Sequence, residues 1–381
     1  MISTKKQIKF SKPYSTGKEM AYIQKVIESG HWDSGGTFTE RCQLFFEKKY
    51  GFGKVFLTSS CTDALEMMAI LIDIKPGDEV IVPAYTFTST VNAFLLRGAS
   101  IVFADSDKDT PNIDVTKIGA LITKKTKAII AVHYAGISCD MDALLELTQK
   151  HGIFMLEDAA QAIDSFYKNK PLGSFGNLSA FSFHGTKNIT SGEGGMLVIN
   201  DERFLKRAEI ISQKGTNRNS FIKGEINKYE WTDIGSSFTP SEITAAFLFA
   251  QLEELDQIQL KRKHLWDIYN ELLKPLCKKN VLKINVVPSY ANHNAHIFYF
   301  ILNNSETKMK LSEYLRQHNI QAHSHYLALH KSPLFLYKHD GRQLPNADRF
   351  ENCLLRMPLY NDLTEGDIKY ITEVIINFFY L

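Results

Sequence analysis

The sequence predicts an α/β protein, in which a large domain built on a mostly parallel sheet is followed by a smaller α+β domain. Between residues 54 and 156, short apolar stretches alternate with amphipathic helical stretches. This alternation is typical of parallel strands that helices bury on both faces. Longer helical patterns begin near residue 239, and a length of 381 residues suits two domains. We therefore expect the domains to cover residues 1–238 and 239–381.

The elements of the large domain follow each other in a regular order. Two amphipathic helices within residues 17–50 come first, separated by the glycine-rich stretch Ser34–Gly36. Strands and helices then alternate along the chain. The predicted strands are Lys54–Leu57, Glu79–Pro83, Ile101–Ala104, Ala128–His133 and Ile153–Leu156. The predicted helices between them are Thr62–Ile72, Ser89–Arg97 and Met141–His151.

The smaller domain is predicted to be richer in helix. It begins with two long helical patterns, continues with one strand and a further helix, and closes on a C-terminal helix. The predicted elements are helices over Ser241–Leu255 and Ile258–Leu273, a strand over Ala295–Leu302, a helix ending near His318 and a helix from Glu365 onward.

Charge and cysteine content restrict the class of protein. The 44 basic and 42 acidic side chains leave a formal net charge of +2, which gives no electrostatic reason to expect nucleic acid or an anionic membrane as partner. The five cysteines form no C-x-x-C pair, so we expect neither a disulfide framework nor a metal site, and a reducing cytoplasm suits them. The first ten residues lack the apolar region of a signal peptide, and no apolar run approaches the roughly 20 residues that span a bilayer.

Three motifs lie just beyond predicted strands, where parallel sheets bind their ligands. Thr58–Thr62 opens a helix whose unpaired N–H groups suit a phosphate, although an ordinary helix cap has the same pattern. Asp158 ends a strand, and a buried carboxylate there would keep a pyridine nitrogen protonated. Lys187 lies between an apolar strand and the loop Gly192–Gly195, and a lysine in an enclosed site can attack an aldehyde. One cofactor needs all three parts.

Six motifs extend this pattern over nearly the whole chain. They are Gly77–Pro83, Tyr85–Phe87, Glu157–Gln161, Phe181–Asn188, His325–Tyr326 and Arg356–Leu359. In this order they resemble the DegT/DnrJ/EryC1/StrS family of sugar aminotransferases. The resemblance implies the fold of aspartate aminotransferase, pyridoxal 5′-phosphate (PLP) as cofactor and a cytoplasmic homodimer. It also implies transfer of an amino group from L-glutamate to a keto-sugar nucleotide, with pyridoxamine phosphate between the two half-reactions.

The resemblance implies a role for each matching residue. Lys187 would carry the cofactor and move the proton, Asp158 would bind the pyridine nitrogen, and Gln161 would hydrogen-bond the ring hydroxyl. Phe87 would stack on the face of the ring. The implied phosphate contacts are Ser60, Cys61 and Ser182. The residues implied near the sugar are His184, Tyr229, His325, Tyr326 and, as a further candidate, His330. For these histidines a purely structural role is equally open.

One segment departs from the family pattern. Many members carry an Asn-x-Arg sequence whose asparagine reaches the phosphate in the partner subunit. Here Ser237 stands in place of the asparagine and Thr239 in place of the arginine. The resemblance therefore does not decide how this contact between subunits is made here. The hydroxyl of Ser237 is the group that could still donate a hydrogen bond to the phosphate.

The expected substrate rests on two further stretches, Lys214–Arg218 and Lys228–Ser237. They resemble the dTDP-4-amino-4,6-dideoxygalactose transaminase branch, which aminates C4 of dTDP-4-keto-6-deoxy-D-glucose for lipopolysaccharide or O-antigen synthesis. The epimer of the dTDP-4-amino-4,6-dideoxyhexose product is left open. So are a C3 aminotransferase of a 3-keto-6-deoxy sugar nucleotide and a UDP-sugar aminotransferase.

Two rival functions fit the sequence less well. A sugar dehydratase of the same fold carries histidine where this chain has Lys187. A non-catalytic PLP-binding regulator is usually fused to a DNA-binding module, and no basic module precedes the predicted sheet.

Overall fold

The computed structural model describes residues 7–380, so the first six residues of the stretch expected to lack a signal peptide lie outside this range. The helices of the described part are α1 (Glu19–Ser29), α2 (Thr37–Tyr50), α3 (Cys61–Leu71), α4 (Thr88–Leu95), α5 (Val115–Ile118), α6 (Met141–His151), α7 (Leu205–Ser212), α8 (Arg218–Ile222), α9 (Glu242–Glu253), α10 (Leu255–Lys278), α11 (Ser305–Gln317), α12 (Pro345–Cys353) and α13 (Glu365–Tyr380). The strands are β1 (Lys54–Thr58), β2 (Glu79–Pro83), β3 (Ser100–Ala104), β4 (Thr126–Val132), β5 (Phe154–Asp158), β6 (Phe166–Tyr167), β7 (Lys170–Pro171), β8 (Leu178–Ser182), β9 (Gly195–Ile199), β10 (Leu282–Ile284), β11 (Ala291–Asn292), β12 (Phe298–Leu302) and β13 (Leu354–Met357).

The main sheet within residues 7–380 has seven strands in the order β1-β9-β8-β5-β4-β2-β3. Strand β9 runs antiparallel to both of its neighbours, and the other pairings are parallel. The other six strands therefore point the same way, which confirms the predicted mostly parallel sheet. Because of this common direction, the residues that follow β1, β2, β4, β5 and β8 meet at one edge of the sheet.

The predicted elements and the observed ones agree closely in the large domain. Strand Glu79–Pro83 and helix Met141–His151 have the predicted bounds. Strand β9 was missed, because a five-residue apolar run after a glycine loop has no periodicity that separates strand from helix. The strand predicted over Ala295–Leu302 begins only at Phe298, because Ala295 has a φ of 50° and a left-handed residue cannot continue a strand.

Apolar residues pack on both faces of the sheet. Along β2, Val80 and Val82 face one core and Ile81 faces the other, and all three are fully buried. Burial on both faces requires the continuous apolar strands that the sequence shows, since successive side chains point to opposite sides. A third core joins the antiparallel sheet β10-β12-β13 to α10, α11 and α13 in the C-terminal region.

The boundary at residue 239 stays a prediction. Helix α9, which lies beyond that boundary, packs against α1 and α2 and shares a core with them through Ala245, Leu248 and Phe249. Among residues 7–380, no helix is both long and apolar enough to cross a lipid bilayer.

Candidate active site

A cavity of about 570 Å³ opens at the carboxyl edge of the sheet. Its walls come from residues that follow β1, β2, β5 and β8, together with residues of the C-terminal region. Ten residues proposed from the sequence line this cavity: Ser60, Cys61, Phe87, Asp158, Gln161, Ser182, His184, Lys187, His325 and Tyr326. The fold therefore brings together residues that are up to 266 positions apart along the chain.

The N-terminus of α3 forms one wall of the cavity. Ser60 is its N-cap, because the Ser60 hydroxyl accepts a hydrogen bond from the backbone N–H of Asp63 at 3.1 Å. Strand β9 runs so close to this turn that a Cβ atom at Gly195 would lie 2.5 Å from the backbone N of Cys61. Glycine is therefore required at position 195 for the strand to pass. Unpaired N–H groups at a helix N-terminus form an anion site, and the small residues leave room for a phosphate.

Asp158 is the last residue of β5 and is buried, with 6% of its surface exposed. Its Oδ2 accepts a hydrogen bond from Thr90 Oγ1 at 2.6 Å, and its Oδ1 accepts one from the backbone N–H of Ala160 at 3.1 Å. The Thr90 hydroxyl is also 2.9 Å from that of Thr86. These contacts fix the orientation of the carboxylate at the cavity wall.

Lys187 follows β8 and is half-buried. Its backbone N–H donates to the carbonyl of His184 at 2.9 Å, which closes a tight turn after the strand. Burial lowers the pKa of Lys187, the charge of Arg356 lowers it further, and Asp158 opposes both. A lowered pKa increases the fraction of neutral amine, which is the nucleophilic form of lysine.

Asn188 anchors the loop that carries Lys187. Its amide Nδ2 donates to Gln259 Oε1 at 2.8 Å and to the carbonyl of Asn294 at 2.9 Å. Its Oδ1 lies 2.7 Å from Nδ1 of His296, which also lines the cavity. The lysine loop is thereby tied to the C-terminal region through buried polar groups.

Gln161 connects the sheet edge to the C-terminal region. Its Oε1 accepts from the backbone N–H of Ala135 at 2.7 Å, and its Nε2 donates to Tyr326 OH at 3.0 Å. The ring of Tyr326 stacks on that of His325, with centroids 3.9 Å apart. Burial lowers the pKa of His325 well below its usual value, and the charge of Arg356 adds to this effect, so His325 is neutral at physiological pH.

Phe87 lies at the rim of the cavity and is 55% exposed. Its ring centroid is 6.0 Å from that of Tyr326, and the two rings are tilted. An exposed aromatic face beside a buried carboxylate and an enclosed lysine suits a flat heteroaromatic ring. Together with the glycine-lined turn at α3, these residues fit a phosphorylated pyridine cofactor.

Three residues proposed from the sequence do not line this cavity. Tyr229 packs against Phe221, with ring centroids 5.7 Å apart, and Ser237 is exposed and pairs with Gln213 in an isolated bridge. The placement of His330 near the sugar stays a prediction. His330 is only 6% exposed, its Nε2 lies 3.3 Å from Asp348 Oδ1, and its ring centroid lies 6.5 Å from that of Phe103.

Some residues of the cavity wall were not predicted from the sequence. Arg356 lies in a motif used for the family resemblance but had no assigned role, and His296 and Phe10 were not proposed at all. Thr90, which binds Asp158, had a usable signal, because it lies in the first turn of the helix that follows β2. For Phe10 and His296 no local pattern indicates proximity to Lys187.

Comparisons with known proteins agree with this geometry. The profile of the DegT/DnrJ/EryC1/StrS aminotransferase family matches residues 13–376. The spore coat polysaccharide biosynthesis protein SpsC of Bacillus subtilis (strain 168) is 32% identical over 375 residues, covering 96% of this chain and 95% of SpsC. The GDP-perosamine synthase of Escherichia coli O157:H7 is 31% identical over 378 residues, covering 98% of this chain and 99% of the synthase.

The fold is likewise shared with solved structures. Spr1654 from Streptococcus pneumoniae superposes with a TM-score of 0.90 at 26% identity, covering 97% of this chain and 98% of that chain. Structures of Spr1654 exist in a PMP form and in a PLP form.

Proposed function

Because the chain belongs to the DegT/DnrJ/EryC1/StrS aminotransferase family, we propose that it transfers an amino group from L-glutamate to C4 of dTDP-4-keto-6-deoxy-D-glucose. It is a transaminase that uses PLP and acts in sugar metabolism. The proposed product is a dTDP-4-amino-4,6-dideoxyhexose for a surface glycan such as lipopolysaccharide or O-antigen.

The observation that carries this proposal is the placement of Asp158 and Lys187 in one cavity beside the N-terminus of α3. Asp158 would hold the pyridine nitrogen, Gln161 the ring hydroxyl and Phe87 the ring face. Lys187 would bind the aldehyde carbon. The residues proposed for the phosphate are Ser60, Cys61 and Ser182. When bound, the cofactor supplies an electron sink for the carbon that loses or gains a proton.

Lys187 is proposed to move the proton in both half-reactions. Its Nζ would take a proton from the α-carbon of L-glutamate and would later deliver one to C4 of the sugar. A lowered pKa favours the neutral amine, which can take a proton, and the protonated amine can then return one. The turn closed by His184 and the anchor at Asn188 hold the backbone of the loop that carries Lys187.

The sugar is proposed to bind on the side of the cavity that faces the C-terminal region. His325 and Tyr326 lie there, and His184 is exposed at the rim with its Nε2 3.5 Å from Glu193 Oε1. The imidazole of His325 and the phenol of Tyr326 suit the hydroxyl groups of a sugar, because each can donate or accept a hydrogen bond.

A homodimer is part of the proposal. The surface segment over residues 218–237 exposes several apolar side chains, and Trp231 is 80% exposed. Exposed apolar clusters of this kind mark protein interfaces. Tyr229 and Ser237 lie on this segment, so we propose that they act in the cavity of the second subunit. A monomer that is fully active in sedimentation assays would contradict this arrangement.

Other substrates of the same chemistry remain alternatives. One relative is a GDP-perosamine synthase, and this favours a test of GDP-linked 4-keto-6-deoxy sugars beside dTDP-linked and UDP-linked ones. Amination at C3 of a 3-keto-6-deoxy sugar nucleotide is the second alternative. A non-catalytic regulator is a remote alternative, since the cavity holds both Asp158 and Lys187.

The cytoplasmic location is also proposed, and it rests on the five cysteines, none of which forms a disulfide in the described part of the chain.

The test is turnover with defined substrates. The purified holoenzyme is given L-glutamate and dTDP-4-keto-6-deoxy-D-glucose, and the product is analysed by mass and by NMR couplings at H4. A 4-amino sugar supports the proposal, and the couplings give the epimer. If a GDP-linked, UDP-linked or 3-keto substrate is turned over faster, that compound replaces dTDP-4-keto-6-deoxy-D-glucose as the proposed substrate. Lys187→Ala is the negative control, and Lys168→Ala, at an exposed lysine that pairs with Asp142, is the matched positive control.

A further inference from the structure

His296 lies in the cavity wall, in the segment that precedes β12, and only 7% of its surface is exposed. Its Nδ1 is 2.7 Å from Oδ1 of Asn188. Its backbone is held as well, because its N–H donates to Asn294 Oδ1 at 3.0 Å and its carbonyl accepts from Arg262 at 2.8 Å. Asn188 follows Lys187 directly, and consecutive Cα atoms are about 3.8 Å apart. The imidazole that Asn188 holds therefore lies close to the lysine loop.

The contacts of Asn188 decide which ring nitrogen of His296 carries the proton. The amide nitrogen of Asn188 donates to the carbonyl of Asn294 at 2.9 Å, and a carbonyl oxygen can only accept. The amide oxygen of Asn188 is therefore the atom that faces Nδ1 of His296. An oxygen acceptor requires a protonated Nδ1, so Nε2 of the neutral imidazole carries a free lone pair.

The imidazole of His296 is neutral at physiological pH. Burial lowers the pKa of His296 well below its usual value, and the positive charge of Lys187 lowers it further. The other groups that act on this pKa are Arg262, Arg356 and His325, and all three lower it. A ring in this state is a poor general base near neutral pH, but its Nε2 is a hydrogen-bond acceptor.

Nε2 of His296 is the acceptor that the cavity leaves unused. Among residues 7–380, Nδ1 is the only ring nitrogen of His296 with a hydrogen-bond partner. Three side chains with amide or carboxylate oxygens line the cavity in this range, and each is engaged or exposed. The proposed function commits Asp158 to the pyridine nitrogen, Oε1 of Gln161 already accepts from a backbone N–H, and the side chain of Glu193 is 71% exposed. Nε2 is therefore the buried acceptor that remains for Lys187.

We infer that His296 is a positioning residue, whose Nε2 accepts a hydrogen bond from the ammonium form of Lys187 while that lysine holds the proton. This inference rests on the proposed function, in which Lys187 takes a proton from one carbon and returns it to another. Between the two steps Nζ bears a positive charge inside the cavity, and a buried charge without a partner is costly. A neutral acceptor stabilises the ammonium without taking its proton.

Two substitutions separate the two nitrogens of the imidazole. His296→Asn keeps a donor near the place of Nδ1 and removes the acceptor at Nε2. His296→Gln, with its longer side chain, puts an amide oxygen near the place of Nε2 and so keeps the acceptor. If His296 only supports the fold through Asn188, His296→Asn should be the more active variant, whereas an acceptor role for Nε2 favours His296→Gln. His264→Asn, at an exposed histidine that pairs with Glu365, is the matched control.

The donor half-reaction measures the effect without a sugar. L-glutamate gives its amino group to the cofactor, and the aldehyde and amine forms of the cofactor differ in absorbance. The maximal rate should fall about 10- to 100-fold in His296→Asn, the loss expected when a charged group loses a hydrogen bond, and it should fall less in His296→Gln. The half-saturating concentration of L-glutamate should stay nearly unchanged, because the contact is made to Lys187 and not to the donor.

The reverse half-reaction, from 2-oxoglutarate and the amine form of the cofactor, needs the ammonium form of Lys187. Without its acceptor the ammonium is less stable, so the pKa of Lys187 should fall. The rate in His296→Asn should therefore decline at a pH about 1 unit lower than in the wild type if the loss is 10-fold. A purely structural defect would lower the rate equally at every pH.

The state of the imidazole is measured independently of activity. The full-length protein is labelled with ¹⁵N at histidine, and the resonances that disappear in His296→Asn are those of His296. NMR of the wild type should show a neutral ring with its proton on Nδ1 between about pH 6 and 8. This measurement needs no activity from any variant.

Three results would overturn the inference: a proton on Nε2, wild-type rates in His296→Asn, or a higher rate in His296→Asn than in His296→Gln. Failure of the proposed function is distinct from all three. In that case the donor half-reaction and the NMR spectra would still give the expected results, while no keto-sugar nucleotide would accept the amino group.

Discussion

Thr90 donates a hydrogen bond of 2.6 Å from its hydroxyl to Oδ2 of Asp158, and both side chains are buried at the carboxyl edge of the sheet. Thr90 lies in the first turn of α4, which follows β2, and Asp158 ends β5, which β4 separates from β2 in the sheet. The carboxylate proposed to bind the pyridine nitrogen is therefore positioned by a neighbour from another part of the fold.

Replacing this neighbour tests its positioning role. Thr90→Val keeps the shape of the side chain but removes the donor, and we expect cofactor affinity to fall about 10-fold, because a buried acceptor without its partner costs about 1–3 kcal/mol. Titration of the protein with PLP, followed by absorbance, gives the affinity. Thr372→Val is the matched control, since Thr372 is buried in α13 and bonds only helix carbonyls. Equal PLP affinities for the two variants would show that Thr90 does not position Asp158.

Lys187 is expected to be the attachment point of the cofactor. Lys187→Ala should lower kcat by about 10⁴-fold or more, because it removes both the general acid–base group and the nucleophile. Reduction of the holoenzyme with borohydride, followed by peptide mass spectrometry, should place the added cofactor mass on the peptide that contains Lys187. Recovery of that mass on a peptide without Lys187 would refute the assignment.

Gly195 is expected to tolerate no side chain. In Gly195→Ala the new Cβ would lie 2.5 Å from the backbone of Ser60 and of Cys61, so β9 or the α3 turn must shift. We expect a loss of stability of about 1–3 kcal/mol and weaker binding of PLP, since the shifted turn is the proposed phosphate site. Thermal melts and PLP titration measure the two effects. In Gly366→Ala the added Cβ would make only an ordinary contact with Thr364, so this variant should have nearly the stability and the PLP affinity of the wild type. A Gly195→Ala enzyme with normal PLP affinity would argue against a phosphate at this turn.

The buried ion pair between His133 and Glu157 is expected to make the folded protein less stable at alkaline pH. Nε2 of His133 lies 3.0 Å from Oε2 of Glu157, and both side chains are fully buried. Burial by itself would lower the pKa of His133, but the contacts with Cys139 and Glu157 outweigh it and raise the pKa to about 10. The pKa of His133 is higher in the folded protein than in the unfolded chain, where it is about 6.5. The contribution of the ion pair to the free energy of unfolding is therefore complete below about pH 6.5 and disappears as pH rises through about 10.

His133→Gln tests this dependence. We expect a loss of about 3–5 kcal/mol at pH 6, because a buried carboxylate loses its counter-charge, and a smaller difference from wild type as pH approaches 10. Thermal melts between pH 6 and 10.5 measure the difference. His151→Gln, at an exposed histidine at the end of α6, is the control. A difference that is independent of pH would mean that His133 is neutral in the folded protein.

The predicted strands were accurate where local signals were strong. Glu79–Pro83 is an apolar run bounded by Gly77-Asp78 and by an aromatic stretch, and its bounds were confirmed. Asp158 and Lys187 could be located from the sequence because each follows such a strand, and the common direction of the strands puts their carboxyl ends together. Strand Ala295–Leu302 was predicted too long, because the left-handed residue Ala295 is not visible in the apolar pattern.

The sequence by itself determined the α/β class, the mostly parallel sheet and the edge at which Asp158 and Lys187 lie, because these follow from periodicity within short windows and from the direction of parallel strands. Only the tertiary structure decided that Arg356 and Phe10 line the cavity and that His330 does not. The physical reason is that these positions depend on how the C-terminal region packs on the sheet. That packing is set by contacts such as Gln161–Tyr326 and Asn188–His296, between residues more than a hundred positions apart, and no local pattern in the sequence encodes them.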